Sequence, residues 1–302
     1  MRYREALKRV ESRFELDGIP DADVDAWYLL EYVLRKQMGP GVNRTWYLMH
    51  SEEEIAADVL ARYQALAEKR LERIPLQYLT GEQEFYGLPF YVNEHVLIPR
   101  QDTEILVEEA LKKVRDGMRV LDLCTGSGCI LLSILKNRRR ITGVGADISE
   151  QALEVAEKNA HRLQADAAFI RSDLFEKLQG QFDVIVSNPP YIESARIVQL
   201  MPEVREHEPH LALDGMEDGL YYYRRIIEQS PAYLKNGGHL LFETGYNQGE
   251  AVCGLLKHAG FAAVSVVSDL AGLDRVAMGT WQGRMVHPDN TGKDIRERCL
   301  TN

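Results

Sequence analysis

Apolar residues recur along the first 74 residues at the three- and four-residue spacing of helices. In DADVDAWYLLEYVLRKQMG, Val24, Trp27, Tyr28, Leu30, Val33 and Leu34 fall on one helical stripe. Ser51 and Glu54 make the S-x-x-E pattern of a capping box ahead of IAADVLARYQALAEKRLERI. In that second helix Ile55, Val59, Tyr63 and Leu66 share a face, and Pro75 ends the run. QEFYGLPFYVN, residues 83–93, then shows two short β-like runs about a Gly-Leu-Pro turn, which predicts a hairpin linking two domains.

From residue 99 the pattern changes. Strand-like runs at 118–123, 141–147, 167–173, 182–187 and 237–245 alternate with helical stretches CILLSILKN, EQALEVAEKNAHRL and LYYYRRIIEQSPAYL. Such alternation implies an α/β fold, a mostly parallel sheet with helices on both faces. The last two runs, AAVSVVSD and DRVAMGTW, lie too close for a helical crossover and are expected to form an antiparallel hairpin at one edge. The organisation read from the chain is a helical domain over 1–74, a linking hairpin over 75–98, an α/β domain over 99–282 and a polar tail over 283–302.

A chain of 302 residues, 45% hydrophobic and 27% charged, has the size of about two globular domains. MRYREALKRVESRFELDG lacks the apolar core of a signal peptide, and there is no run of about 18 uncharged apolar residues, so a cytoplasmic protein with no membrane partner is expected. Cys124, Cys129, Cys253 and Cys299 show no C-x-x-C spacing and read as reduced thiols, with no metal site. The net charge of −10 lowers the expectation of direct nucleic-acid binding, which usually needs a basic surface. Up to Ile74 there are 12 Lys and Arg against 14 Asp and Glu, so most of the acidity lies in the α/β part.

Three places carry candidate chemistry. LDLCTGSGC runs from a strand into a glycine-rich turn and a helix, where Gly126 and Gly128 allow backbone to approach a ligand. Asp147 ends the next strand, 21 residues after Gly126, where a carboxylate can accept from both ribose hydroxyls of a nucleoside. The third glycine of a dinucleotide fingerprint is missing, because Leu131 stands there, and the turn also suits S-adenosylmethionine. Asp173 and Phe175, after the third strand of the α/β part, are placed to meet an adenine by hydrogen bond and stacking. A tight βα turn and a helix-capping Asp would leave the same traces.

The third place is VSNPPYIES. Two prolines directly follow a buried-strand pattern, so Asn188, Pro189, Pro190 and Tyr191 are delivered at the C-terminal strand edge where doubly wound sheets bind ligands. Pro190 holds Pro189 extended, and neither ring nitrogen can donate, so the loop presents acceptors and one aromatic face. That set matches a planar –NH2 group, an amide or an exocyclic amine. Accepting both its hydrogens aligns a poor nucleophile with an electrophilic methyl carbon.

Together LIPRQDTE (97–104), LDLCTGSG (121–128), VSNPPYI (186–192) and EPHLALDGMEDGLYYYRRI (208–226) resemble the HemK/PrmC-type protein-glutamine N5-methyltransferases over nearly the whole chain. The resemblance implies a class I S-adenosylmethionine-dependent methyltransferase domain behind a small helical domain. It implies methylation of the glutamine side-chain amide in the Gly-Gly-Gln loop of class 1 translation release factors, with S-adenosylhomocysteine as product and no metal. It places Cys124, Thr125, Gly126, Ser127, Gly128, Asp147, Phe175 and Asn188 at the donor, with Arg100 shaping that pocket. Asn188, Pro189, Pro190 and Tyr191 would hold the glutamine, and the helical domain would grip the release factor. The chain departs from the family at Cys124 and Met216, where Gly is usual, at Gln101, where Pro is usual, and at Phe175, often Trp. Cys124 is small enough to fit if its φ is negative.

Two other functions stay open on the sequence. An adenine-N6 DNA or RNA methyltransferase could use NPPY, and a non-catalytic donor-binding protein could keep the glycine turn. His207 and His210 around Glu208 read as a solvated loop, and Tyr221 to Tyr223 as helix packing and surface.

Overall fold

A computed structural model describes residues 1–283 of the chain. The expected polar tail lies, Gly283 apart, outside the described residues, as does Cys299. Five helices come first: α1 (Tyr3–Leu16), α2 (Ala22–Met38), α3 (Arg44–His50), α4 (Ala57–Leu71) and α5 (Leu76–Thr80). Their shared core includes Phe14, Leu29, Leu30, Val33, Leu34, Val59 and Tyr63, and Leu76 and Leu79 of α5 pack against it. Val24 and Tyr28, assigned to the apolar stripe of α2, instead face solvent, while Ala26 and Leu29 take the buried face.

The capping box expected at Ser51 and Glu54 does not form. Ser51 follows α3, and the Ser51 and Glu53 carbonyls accept from Arg4 and Tyr3 N–H at 3.0 and 3.1 Å. The stretch thus satisfies the open N-terminus of α1, a tertiary use of backbone that displaces the local cap. Helix α4 starts only at Ala57, without a side-chain cap.

The hairpin is β1 (Glu82–Phe85) paired with β2 (Leu88–Tyr91). Its turn is Tyr86-Gly87, with φ of 52° and 69°, rather than Gly-Leu-Pro. Two positive φ values make the turn whose twist suits a two-residue hairpin, so Leu88 and Pro89 are left to begin β2. Asn159, fully buried, accepts from Tyr91 N–H and donates to the carbonyls of Tyr91 and Ser127, which fastens the hairpin to the glycine turn.

The rest alternates as read: α6 (Glu104–Lys113), β3 (Arg119–Leu123), α7 (Cys129–Asn137), β4 (Thr142–Asp147), α8 (Glu150–Leu163), β5 (Ala167–Arg171), β6 (Phe182–Ser187), α9 (Pro202–His207), α10 (Tyr221–Tyr233), β7 (Leu234–Glu243), α11 (Gly249–His258), β8 (Ala262–Ser268) and β9 (Asp274–Thr280). The sheet order is β5-β4-β3-β6-β7-β9-β8. The first five strands are parallel, and β9 runs antiparallel to both β7 and β8, which puts the expected hairpin at the edge with its second strand inside. Helix α10 accommodates Pro231 because the Ser230 hydroxyl donates to the Ile227 carbonyl that Pro231 cannot reach. No helix among the described residues is long and apolar enough to cross a membrane.

One buried ion cluster joins the helical domain to the α/β domain. Arg70, with its side chain 5% exposed, bonds Asp25 Oδ2 through Nε at 2.7 Å and Glu203 Oε1 through Nη2 at 2.9 Å. Arg73 adds a contact to Glu203 at 3.0 Å. Burial pushes both acids up. The Arg70 guanidinium offsets this only partly at Asp25, while at Glu203 a backbone hydrogen bond, Arg70 and Arg73 outweigh it and hold the carboxyl below its ordinary value. Removing one member of such a cluster strands the others without water. Arg70→Ala is therefore expected to lower stability by about 3–5 kcal/mol, whereas Arg13→Ala, at the exposed pair with Glu68, changes it by less than about 1 kcal/mol. Urea midpoints of the two variants check the contrast.

Candidate active site

The sheet reverses direction of growth between β3 and β6, the position where doubly wound folds bind ligands. A cavity of about 230 Å³ lies there. Its walls include Cys124, Thr125, Gly126 and Ser127 after β3, Asp147 at the end of β4, Asp173 after β5, and Asn188 and Pro190 after β6. Arg100 closes one side. Residues from Cys124 to Pro190 thus converge because four parallel strands end at one edge.

The glycine turn is held from two sides. Asp147 Oδ2 accepts from Gly126 N–H at 2.9 Å, and Oδ1 accepts from Ser149 N–H at 3.0 Å. Burial raises the Asp147 carboxyl, and those backbone donors oppose the rise. Beneath the turn, fully buried Asp122 accepts from the Thr125 hydroxyl at 2.7 Å, and burial pushes its carboxyl up to about 7. Gly126 has φ of 53°, and a Cβ there would meet nothing within 4 Å, so it opens on free space. Gly128, with φ of 78°, faces the other way: a Cβ would sit 3.1 Å from Leu132 and 3.3 Å from Ala156. It lets α7 start against α8 and does not line the cavity.

Three sequence expectations are corrected here. Phe175 lines no part of the cavity; it is buried at 1% exposure and stacked on Tyr233, ring centroids 4.6 Å apart. Leu174 takes φ of 47°, and the chain turns Phe175 into the core beneath the sheet edge. The aromatic wall is instead Tyr221 and Tyr222, an edge-to-face pair that the sequence assigned to packing and surface. Only Tyr223 of that run is core, its hydroxyl donating to the Glu243 carbonyl at 2.8 Å. Asp173 does line the cavity, but its carboxylate pairs with Arg225 at 3.0 Å. Cys124 does not have negative φ: it sits at 57°, and Met216 at 69°. Burial pushes the Cys124 thiol up, which disfavours a reactive thiolate.

The loop after β6 divides. Asn188 and Pro190 face the cavity, while Pro189 lies buried and Tyr191 opens on a neighbouring groove with Ile192, Arg196 and Tyr246. Neither the Asn188 side chain nor the Pro189 carbonyl finds a hydrogen-bond partner among the described residues. Behind the loop, the space is closed. A Cβ on Gly215 would lie 2.7 Å from Tyr191 Cα, and one on Gly219 would lie 2.4 Å from the Tyr191 carbonyl oxygen. Gln248 donates to that same carbonyl at 3.0 Å, and Ile192 exchanges backbone bonds with Leu213 and Gly215. These anchors were not singled out from the sequence. Their signal was the Asp-Gly-x-x-Asp-Gly spacing after the loop, whose glycines meet backbone rather than ligand.

The LIPRQDTE segment braces the same region. Arg100 pairs with buried Glu208, whose other oxygen accepts from Ile98 N–H at 3.2 Å. Burial raises the Glu208 carboxyl and Arg100 counters it. Glu208 is therefore no solvated loop residue, although His207 and His210 on either side are half-buried or exposed. Asp102 meets Arg275 at 3.0 Å, and Glu104 accepts from Tyr86 N–H at 2.7 Å. No group of three or more His, Cys, Asp or Glu among the described residues is arranged to hold a metal ion.

Two family models match the chain, the PrmC N-terminal domain over residues 5–81 and the methyltransferase small domain over residues 100–215. A release factor glutamine methyltransferase of Geobacter sulfurreducens is 41% identical over 263 residues, covering 87% of this chain and 90% of that one. Another, of Agrobacterium fabrum, is 40% identical over 278 residues, with 89% and 94% covered. A solved release-factor-specific protein-(glutamine-N5) methyltransferase of Alicyclobacillus acidocaldarius is 32% identical, with 64% of this chain and 99% of that one covered, at a TM-score of 0.39.

The closed space behind the loop generates a test. Gly219→Ala adds a methyl against backbone atoms at positive φ, so the Tyr191 carbonyl must move. Its expected effect is a fall in turnover of roughly tenfold or more, as for misplacement of a reacting group, with unchanged ligand affinity in the cavity. Steady-state kinetics beside calorimetry on the folded variant decides this.

Proposed function

The chain belongs to the release factor glutamine methyltransferases, and from that premise we propose that it transfers a methyl group from S-adenosylmethionine to the side-chain amide nitrogen of the glutamine in a release factor's Gly-Gly-Gln loop. The observation that carries this reading is the clamped Asn188–Tyr191 loop, with unpartnered acceptors at the edge of a cavity built on a glycine turn and a strand-end carboxylate.

The cavity fits the donor's parts. Gly126 leaves free space where backbone can meet a ligand. The lone pairs of Asp147 not used by Gly126 and Ser149 can accept from ribose hydroxyls. Tyr221 and Tyr222 supply apolar faces for a flat base, the part given to Phe175 on the sequence. S-adenosylmethionine, when bound, supplies an electrophilic methyl on a sulfonium. The Asn188 amide oxygen and the Pro189 carbonyl can accept the two hydrogens of a glutamine –NH2, which fixes the amide plane and directs its nitrogen toward the cavity. The same acceptors favour the positive charge that grows on that nitrogen as the bond forms. Because the loop is pinned from behind, they need no reorganisation during the reaction.

Selectivity for the carrier protein falls to the surface around the loop. The helical domain gives no residue to the cavity, exposes Leu48 and Met49 on α3, and is fastened by Arg70 to the connection that follows the acceptor loop. It is the part we assign to gripping the release factor.

The direct test incubates the protein with labelled S-adenosylmethionine and either a class 1 release factor or adenine-containing DNA. Mass spectrometry is expected to place one added methyl on the Gly-Gly-Gln glutamine. Label in DNA with an unmodified release factor would replace this reading with an adenine-N6 activity. Asn188→Ala should cut kcat by about 100-fold with little change in donor affinity. Asp147→Ala should do the reverse, weakening donor binding by about 1–3 kcal/mol, as read by calorimetry.

A further inference from the structure

Glu243 ends β7, beside the strand that carries the acceptor loop. It is 3% exposed. Its Oε1 accepts from the Tyr191 hydroxyl at 3.4 Å, while Oε2 is buried with no partner among the described residues. The groups facing it come from every neighbouring element: the Thr103 hydroxyl and Asp102 from the segment before α6, Tyr191 after β6, Tyr223 from α10, Arg275 from β9 and Cys129 from α7. Arg275 lies near but is committed to Asp102 and Asp269, at 3.0 and 2.9 Å. Burial therefore dominates and pushes the Glu243 carboxyl up to about 7, with Thr103 pulling down and Asp102 pushing further up. A buried carboxyl with one unsatisfied oxygen costs stability.

Its one side-chain partner in the catalytic loop gives it a purpose. The Tyr191 carbonyl is already held by Gln248, and the ring passes beside Gly245, where a Cβ would lie 3.5 Å from Tyr191 Cδ2. The phenol hydroxyl is the far end of that side chain. We infer that Glu243 is a positioning residue for methyl transfer, acting through the Tyr191 hydroxyl to fix the ring that flanks the acceptor amide. The inference rests on the functional reading above and adds a residue to it. A hydrogen bond to a carboxylate is roughly twice as strong as one to a neutral carboxyl. The anchor thus tightens as pH rises through the carboxyl's titration, and turnover rises with it.

The test follows kcat for methylation of a release factor from about pH 5.5 to 8.5 in the full chain and in Glu243→Gln, Tyr191→Phe and the double variant. The wild type is expected to show a rising inflection near 7. Glu243→Gln keeps the side-chain volume; the expected result is loss of that inflection and a plateau about tenfold lower. Tyr191→Phe reaches the same contact without touching the buried carboxyl, and should show the same loss. The double variant should be no worse than Tyr191→Phe alone, because both remove one interaction. Donor affinity by calorimetry should not move, since neither side chain lines the donor cavity. Retention of the inflection in Glu243→Gln, or penalties that multiply in the double variant, overturns the inference. Failure of the wild type itself to methylate a release factor would overturn the functional reading instead.

Discussion

Everything at the site depends on how a proline loop is kept rigid without a ladder of its own. Pro189 and Pro190 have no N–H, so strand pairing stops at Ser187, paired with Leu123 and Phe242. The loop is then fixed by what stands behind it. Gly215 and Gly219 allow one backbone to pass against another at a distance no side chain permits, and Gln248 ties the Tyr191 carbonyl from a third segment. The Asn188 side chain, which faces the cavity, stays free because the hydrogen bonds that hold the loop are made on its back. A loop held by its own front-facing groups could not present them to an amide.

The same logic explains why the segment before α6 is so particular in sequence. Arg100 and Ile98 hold Glu208, Asp102 meets Arg275 at the sheet's far side, and Glu104 caps the hairpin turn at Tyr86. One short stretch therefore joins the hairpin, the edge strands and the connection that backs the acceptor loop. Arg70 extends the connection's attachments to the helical domain. Few of these contacts can touch a ligand. They brace the segments around the cavity and the loop, whose relative placement an in-line transfer depends on.

Much of this was legible in the residues. Periodicity located the strands of the sheet because buried parallel strands read as continuous apolar runs. The place of the NPPY loop at the cavity was legible because the strand before it ends at the sheet edge where such folds bind ligands. The rest failed for local reasons. An aromatic two residues beyond Asp173 looked placed for a base, but a single left-handed residue, Leu174, reverses its direction. Tyr221 and Tyr222 are spaced like any helix surface, and only the fold shows that their side of α10 looks into the cavity. The capping pattern at Ser51 was real as a pattern, yet a neighbouring helix end used the same backbone first.

Cys124 and Met216 show how firmly the fold dictates backbone path at the cavity. Both hold a left-handed conformation that costs an L-residue about 1–2 kcal/mol relative to glycine. Relaxing Cys124 would disturb the turn in which Thr125 N–H reaches the Ala146 carbonyl and Gly126 N–H reaches Asp147. Relaxing Met216 would release its N–H from Asp214 and its carbonyl from Ser194, and with them the segment that backs Tyr191. Each strained residue therefore sits where several hydrogen bonds depend on its path, and strain persists where the surroundings over-determine it. Both residues also line the cavity. The difference from glycine at these two positions thus falls on the cavity wall, in the space left for a ligand, while the chain follows the route a glycine would take.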